Sequence, residues 1–254
     1  MGKFACNRFQ PALKAAIVGG LIDTAGSPAL VTPKFLTPLA LVIASIALLM
    51  VASVVTYREA MPFLSSGLSP SDKFNALANA RFSIGLSPLA KNIVLEDCVS
   101  ALTSVFGRVQ PSDRQGAVLK VCREAAGDVT GAAPSSSYAW YVGALAAGTA
   151  GDMNELSRGL SQSEATGPNE QWIAVLRADL AEEHRAVLDS RALAAEDRDL
   201  ALLVQSQGGI ATIAARYIAQ PDFRERITTI TETLSPSDQQ RFLSSVKQAA
   251  FLGG

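Results

Sequence analysis

The sequence predicts an all-α chain in which a single transmembrane helix over 35–57 is followed by a domain of helical hairpins, stacked as an α-solenoid, over 71–254. Three observations predict it. The run FLTPLALVIASIALLMVASVVTY, Phe35 to Tyr57, carries no charged side chain and lies between Lys34 and Arg58; a hydrocarbon core about 30 Å thick needs about twenty helical residues. The chain is rich in Ala and Leu while aromatics make up only 6% of it, a balance that favours helices over a β-rich fold. Short Ser-Pro-Asp phrases recur, each opening a segment of helical apolar spacing, and no segment keeps the alternation of a half-buried strand.

A cleavable signal peptide is the first alternative for Phe35–Tyr57, but its apolar region is shorter and ends in a small-residue cleavage site, unlike Tyr57-Arg58-Glu59-Ala60-Met61-Pro62. A buried core helix is the second, and a helix apolar on every side is uncommon in a small soluble domain. Ala40, Ala44 and Ala47 share one face that would let a second helix approach closely, but alanine is also a routine filler of membrane helices, so a homo-oligomer through this face is the lesser of the two readings.

The tail 1–34 holds Lys3, Arg8, Lys14 and Lys34 against the single acid Asp23. Basic residues stay on the cytoplasmic side whereas a long domain translocates largely regardless of charge, so the tail is expected inside and the domain outside. Within the tail, Ala12 to Ile22 is apolar but too short to span. Beyond the anchor, eighteen Lys and Arg stand against twenty-two Asp and Glu. That acidic balance lacks the basic patch and interleaved aromatics of nucleic-acid binding.

In chain order, 58–70 reads as a linker, Pro, Gly and Ser-rich from Met61 to Pro70, that lets the domain stand off the membrane. Ser69-Pro70-Ser71-Asp72 then opens a helix: serine caps, proline suits the first turn, and aspartate answers the positive end of the dipole. The same phrase returns at Ser235-Pro236-Ser237-Asp238, with shorter forms at Ser87-Pro88, Pro111-Ser112-Asp113 and Pro221-Asp222. Helices are expected over 71–84, 88–107, 112–126, 136–148, 152–164, 169–189, 194–207, 209–219, 222–233 and 237–251. The short connections make successive helices antiparallel neighbours.

From Trp140 to Pro168 the spacing has more detail: Trp140, then Ala144, Gly151 and Asp152 at a break, Leu156 and Leu160, and Pro168. This unit resembles the tetratricopeptide repeat, a helix-turn-helix of about thirty-four residues. It departs at Ala147, where the family has an aromatic, and at Leu156, which replaces a small residue. The resemblance covers about one repeat and implies a TPR-like scaffold that presents a surface to partner proteins. Tyr138, Trp140, Tyr141, Trp172 and Tyr217 are the aromatics to test at such a surface, although Trp140 and Trp172 read as core in preference, because repeat aromatics usually fill the space between helices.

Cys98 and Cys122 fall on apolar stripes of consecutive helices, twelve residues to either side of Gln110. An antiparallel hairpin sets such positions opposite each other, which allows a disulfide and an oxidising compartment; two buried free thiols are the alternative. Cys6 lies apart, in the tail.

No catalytic residue, cofactor or metal is expected. His184 is the only histidine and sits among Glu182, Glu183 and Arg185 on what reads as a solvated face. Glu96 and Asp97, and Glu196, Asp197 and Asp199, read as acids matched to helix starts. No GxSxG elbow, SxxK arrangement, P-loop or GxGxxG occurs. The expected protein is a single-pass bacterial inner-membrane scaffold or adaptor, not an enzyme, with a cytoplasmic N-terminus. Its periplasmic helical-repeat domain would bind partners in an envelope assembly for secretion, polysaccharide export or envelope biogenesis. The alternatives are an envelope enzyme acting on glycan or lipid without a recognisable motif, and a purely structural oligomer subunit.

Overall fold

The computed structural model describes residues 36–65, 67–79 and 84–252. The tail 1–34, with Cys6 and the stretch Ala12–Ile22, lies outside the described residues. These residues are all-α, with no strand among them: an apolar helix α1 (Leu36–Ser65) is followed by a helical domain. The chain divides between Leu49 and Met50 into two units.

Within α1, the 27 residues Pro38–Leu64 are long and apolar enough to cross a membrane, and their most apolar part carries no buried residue. The helix does not stop at Tyr57. It continues through Pro62 to Ser65, so the stretch expected to be linker from 58 begins as helix. Pro62 has no N–H to give the Arg58 carbonyl, so the ladder is interrupted near the end of the helix. The end of α1 is also held in place, because a Glu59 carboxylate oxygen accepts the backbone N–H groups of Leu86 and Ser87 at 2.7 and 3.1 Å. Gly85, at φ +68, makes this fit: an added Cβ would lie 2.4 Å from that of Ala90.

The Ser-Pro-Asp phrases cap as expected. α2 (Pro70–Ala78) and α12 (Pro236–Leu252) begin with the same bond, Asp72 N–H to Ser69 Oγ and Asp238 N–H to Ser235 Oγ, each at 3.2 Å. α2 ends before the expected residue 84 because Asn79 caps it, its side-chain amide donating to the Asn75 carbonyl. The helix expected over 88–107 is broken into α3 (Pro88–Thr103) and α4 (Val105–Arg108) by Ser104, whose hydroxyl accepts the N–H of Gly107. Conversely α5 (Ser112–Ala132) runs through Gly127, with Val129 buried on its far turn.

The remaining helices match closely: α6 (Ser137–Thr149), α7 (Met153–Thr166), α8 (Gln171–His184) with a 3-10 turn to Val187, α9 (Ser190–Gln205), α10 (Gly209–Ala219) and α11 (Pro221–Glu232). The unit Trp140–Pro168 is the hairpin of α6 and α7, turned by Gly151 at φ +79. The two helices approach most closely at Gly159, where an added Cβ would come within 2.8 Å of the Ala144 Cβ. Neighbouring helices pack in sequence, α5 on α6, α6 on α7 and α8 on α9, and across hairpins α6 also meets α3 and α8 while α7 meets α9.

A disulfide joins Cys98 of α3 to Cys122 of α5, with Cα atoms 5.6 Å apart and both residues wholly buried. It lies in an apolar cluster that runs from Phe74 and Leu77 through Leu95, Val118 and Leu160 to Ile173. A second cluster gathers Ala174, Leu200, Leu203, Ile213, Phe223, Ile227 and Phe242. α8 feeds both, and the side chain between its two contributions is Arg177.

Candidate partner-binding surface

The sequence places an apolar stripe on α8 through Trp172, Val175, Leu176, Leu180 and Val187, with charge on the other side. The buried residues are instead Ile173, Ala174, Arg177, Ala178, Leu180 and Ala181. The stripe is rotated because a charged residue belongs to it. Arg177 is 1% exposed, and its Nε and one terminal nitrogen grip both oxygens of Asp199 at 2.7 and 2.5 Å. The remaining donors reach Ser137 Oγ, the Ser163 carbonyl and hydroxyl, and the Gly167 carbonyl. One guanidinium thus ties α6, α7, α8 and α9. Burial pushes the Asp199 carboxyl above the ordinary carboxylate range while Arg177 pulls it back.

Two further buried carboxylates follow the same pattern. Glu164 accepts two hydrogen bonds from Arg198 at 2.8 and 2.6 Å. Glu196 pairs with Arg185 and lies 3.1 Å from Arg226, which also pairs with Glu182. Burial raises the Glu196 carboxyl from 4.5 to about 7 against the pull of both arginines. Glu196 and Asp199 are therefore buried ion-pair partners and not acids matched to a helix start. The signal for them was helical phase: Ala192, Ala195, Asp199 and Leu203 share one face of α9, so the charge sits on the apolar stripe.

Rotating α8 turns Trp172 outward. It is 58% exposed, not core, and its ring lies 5.1 Å from that of Tyr138, which stacks on Tyr141 at 6.1 Å. Tyr141 is buried, so it supports the pair from beneath and does not present itself. Burial, then Glu96, raises the Tyr138 hydroxyl well above its ordinary value; burial, with Asp179 and Glu183, pushes Tyr141 up to about 12. α3, α6 and α8 thus contribute to one face on which an aromatic pair stands among acids.

The other two candidate aromatics lie elsewhere. Trp140 is half-buried, donates its indole N–H to the Pro134 carbonyl at 2.8 Å, and carries Arg158 over its ring, beside a shallow groove floored by Gly127, Gly143 and Gly159. Tyr217 packs edge-on against Phe242 in the second cluster, with Arg224 over its ring. His184 is half-buried against α6, its Nε2 3.1 Å from where a Gly148 Cβ would sit, so its surroundings are not the solvated face expected. Among the described residues no group of three His, Cys, Asp or Glu side chains is arranged to hold a metal. Comparisons of the chain with protein-family models, curated proteins and solved structures found no match.

Proposed function

We propose that the protein is a single-pass membrane scaffold whose helical domain binds a partner protein through the face carrying Tyr138 and Trp172. The observation that carries this reading is the exposed Trp172 ring packed at a tilt against Tyr138. A large aromatic held in place by a second, itself backed by buried Tyr141, offers contact area that loses little rotamer freedom on binding. The α6–α7 hairpin and its packing against α3, α8 and α9 support a TPR-like scaffold. The exposed apolar stretch Pro38–Leu64 supports a membrane anchor, and the basic tail supports a cytoplasmic N-terminus. The Cys98–Cys122 disulfide supports an oxidising compartment for the domain, which for a bacterial inner-membrane protein is the periplasm. Envelope assembly is the setting these features favour.

The test is affinity purification of the full-length protein in mild detergent with its disulfide intact. The wild type retains a stable, stoichiometric envelope partner, and Trp172→Ala or Tyr138→Ala loses it while keeping its helical circular dichroism. Purification of the wild type as a lone species overturns the reading.

A further inference from the structure

The Tyr138–Trp172 pair differs from four other rings of the domain in what stands over it, and from the uncovered rings Phe106, Tyr141 and Phe242 in that Trp172 is mostly open to solvent. Arg114 lies over Phe74, Arg158 over Trp140, Arg224 over Tyr217, and both Arg216 and Arg226 over Phe223, at 5.1 to 6.0 Å. Among the described residues no guanidinium covers Tyr138 or Trp172, although Trp172 has more than half its surface open. The ring faces are electron-rich and attract cations, tryptophan most strongly. The charges around the pair have the sign that would reinforce this. Glu96 of α3 and Glu183 of α8 are exposed, and neither makes an ion pair among the described residues. Asp179, two turns from Trp172 and one turn before Glu183 on the same face of α8, holds Arg216 at 2.7 Å but keeps about half its side chain in solvent. The neighbouring Asp97 is already paired with Lys73 at 2.8 Å.

Resting on the reading that this face binds a protein, we infer that the segment it takes is basic: an arginine or lysine of the partner lies on Trp172 and Tyr138 with Glu96 meeting its charge, and Glu183, three turns along the same face of α8, meets a further basic residue of the segment. The partner supplies across the interface the cation that the domain itself supplies to Phe74, Trp140, Tyr217 and Phe223 from within. The carboxylates set which partner is accepted and speed encounter, and the aromatic pair provides the contact area.

The probe is a short arginine- and leucine-containing peptide, compared with an otherwise identical peptide carrying citrulline, which keeps the shape of arginine without its charge. The readout is tryptophan fluorescence of the full-length, disulfide-intact protein in detergent. The chain has two tryptophans, so Trp140→Phe makes the signal that of Trp172, and calorimetry on the wild type controls for that change. The arginine peptide is expected to bind about tenfold more tightly than the citrulline peptide, with the gap closing as salt is raised. The gap should narrow to about twofold in Glu96→Gln/Glu183→Gln, with Glu96→Gln alone as a milder second variant; both positions are exposed, and circular dichroism checks folding. Equal binding of the two peptides, abolished by Trp172→Ala, overturns the basic-partner inference and leaves the binding face standing. Failure of both peptides to bind, in a protein that still captures its partner through Trp172, overturns the inference in the same way. Binding of choline-headgroup micelles in preference to the arginine peptide replaces the protein segment with a lipid and also overturns it. Loss of Trp172-dependent capture altogether removes the underlying reading instead.

Discussion

The two apolar clusters of the domain are joined to their surroundings by different physics. Around the first, α3 and α5 are stapled by the Cys98–Cys122 bond inside a shell of Phe74, Leu95, Val118 and Leu160. The second, on α8 to α12, meets the first across a seam of buried carboxylates and their arginines: Arg177, itself buried, with Asp199, Arg198 reaching Glu164 from the surface, and Arg185 and Arg226 with Glu196. A covalent staple in apolar packing does not titrate. A buried ion pair does, and it punishes the loss of one partner more than the loss of both. The same domain therefore contains one region whose stability answers to redox conditions and another whose stability answers to pH.

The strongest way to break this contrast is Arg177→Ala. It strands Asp199 without its partner, leaving Ser137 and Ser163 only their bonds to each other, and should lower stability by roughly 3–5 kcal/mol. Denaturant unfolding of the detergent-solubilised protein measures it. Arg177→Met/Asp199→Leu removes both charges and should recover most of that loss, since well-packed apolar replacements of a buried pair are commonly neutral. A single variant no worse than a surface substitution would mean that the seam does not hold the two clusters together.

Next in size is the staple. Replacing both Cys98 and Cys122 with alanine opens a loop whose ends are 24 residues apart, and the chain-entropy relation gives a loss of roughly 3 kcal/mol. Reductant should lower the melting temperature of the wild type and leave that of the double variant unchanged. Hydrogen exchange sharpens the comparison further, because protection should fall in α3 and α5 before it falls in α10 to α12.

The pH dependence comes third. Because burial raises the Glu196 carboxyl from 4.5 to about 7, the folded state keeps this proton more tightly than the unfolded chain does. Its favourable contribution is complete below about pH 4.5 and disappears as pH rises through 7. The wild type should therefore lose roughly 3 kcal/mol from this group between those limits. Melting temperature against pH should show a shallower fall in that window for Glu196→Gln than for the wild type, and parallel curves would show that Arg185 and Arg226 keep Glu196 ionised throughout.

Most of the fold was legible because its signals are local. Caps at Ser69, Ser87 and Ser235, prolines at helix starts and Gly151 at the α6–α7 turn act within a few residues of where they stand, and the apolar run of α1 needs no partner to be recognised. The staple was legible as a geometric allowance, since its two ends are equidistant from one turn. The seam was not, because it is made by residues far apart in sequence: Arg177 meets Asp199, Ser137 and Ser163 only after four helices have packed. The apolar stripe read through Trp172, Val175 and Leu176 left Arg177 out and so put α8 in the wrong phase, whereas the buried face includes Arg177 and leaves Trp172 outside. The linker failed for a related reason. Its Pro and Gly content suggested a break, but Glu59 bonds to backbone groups of Leu86 and Ser87 that lie beyond α2.

The smallest expected effect on stability belongs to the residue with the largest expected effect on function. Trp172 sits at the edge of the seam's reach: α8 is oriented by Arg177, but the indole itself is mostly in solvent and touches the fold chiefly through Tyr138. Trp172→Ala should change stability by less than about 1 kcal/mol, which is the aromatic pair contact and little else. Tyr141→Ala, three residues from Tyr138 on α6 but buried, should cost several times as much. A Trp172→Ala protein that melts with the wild type and yet loses its partner separates binding from folding on a single face. A loss as large as that of Tyr141→Ala would mean that Trp172 is a structural member of the α6–α8 contact, and the functional assignment of the face would then fall with it.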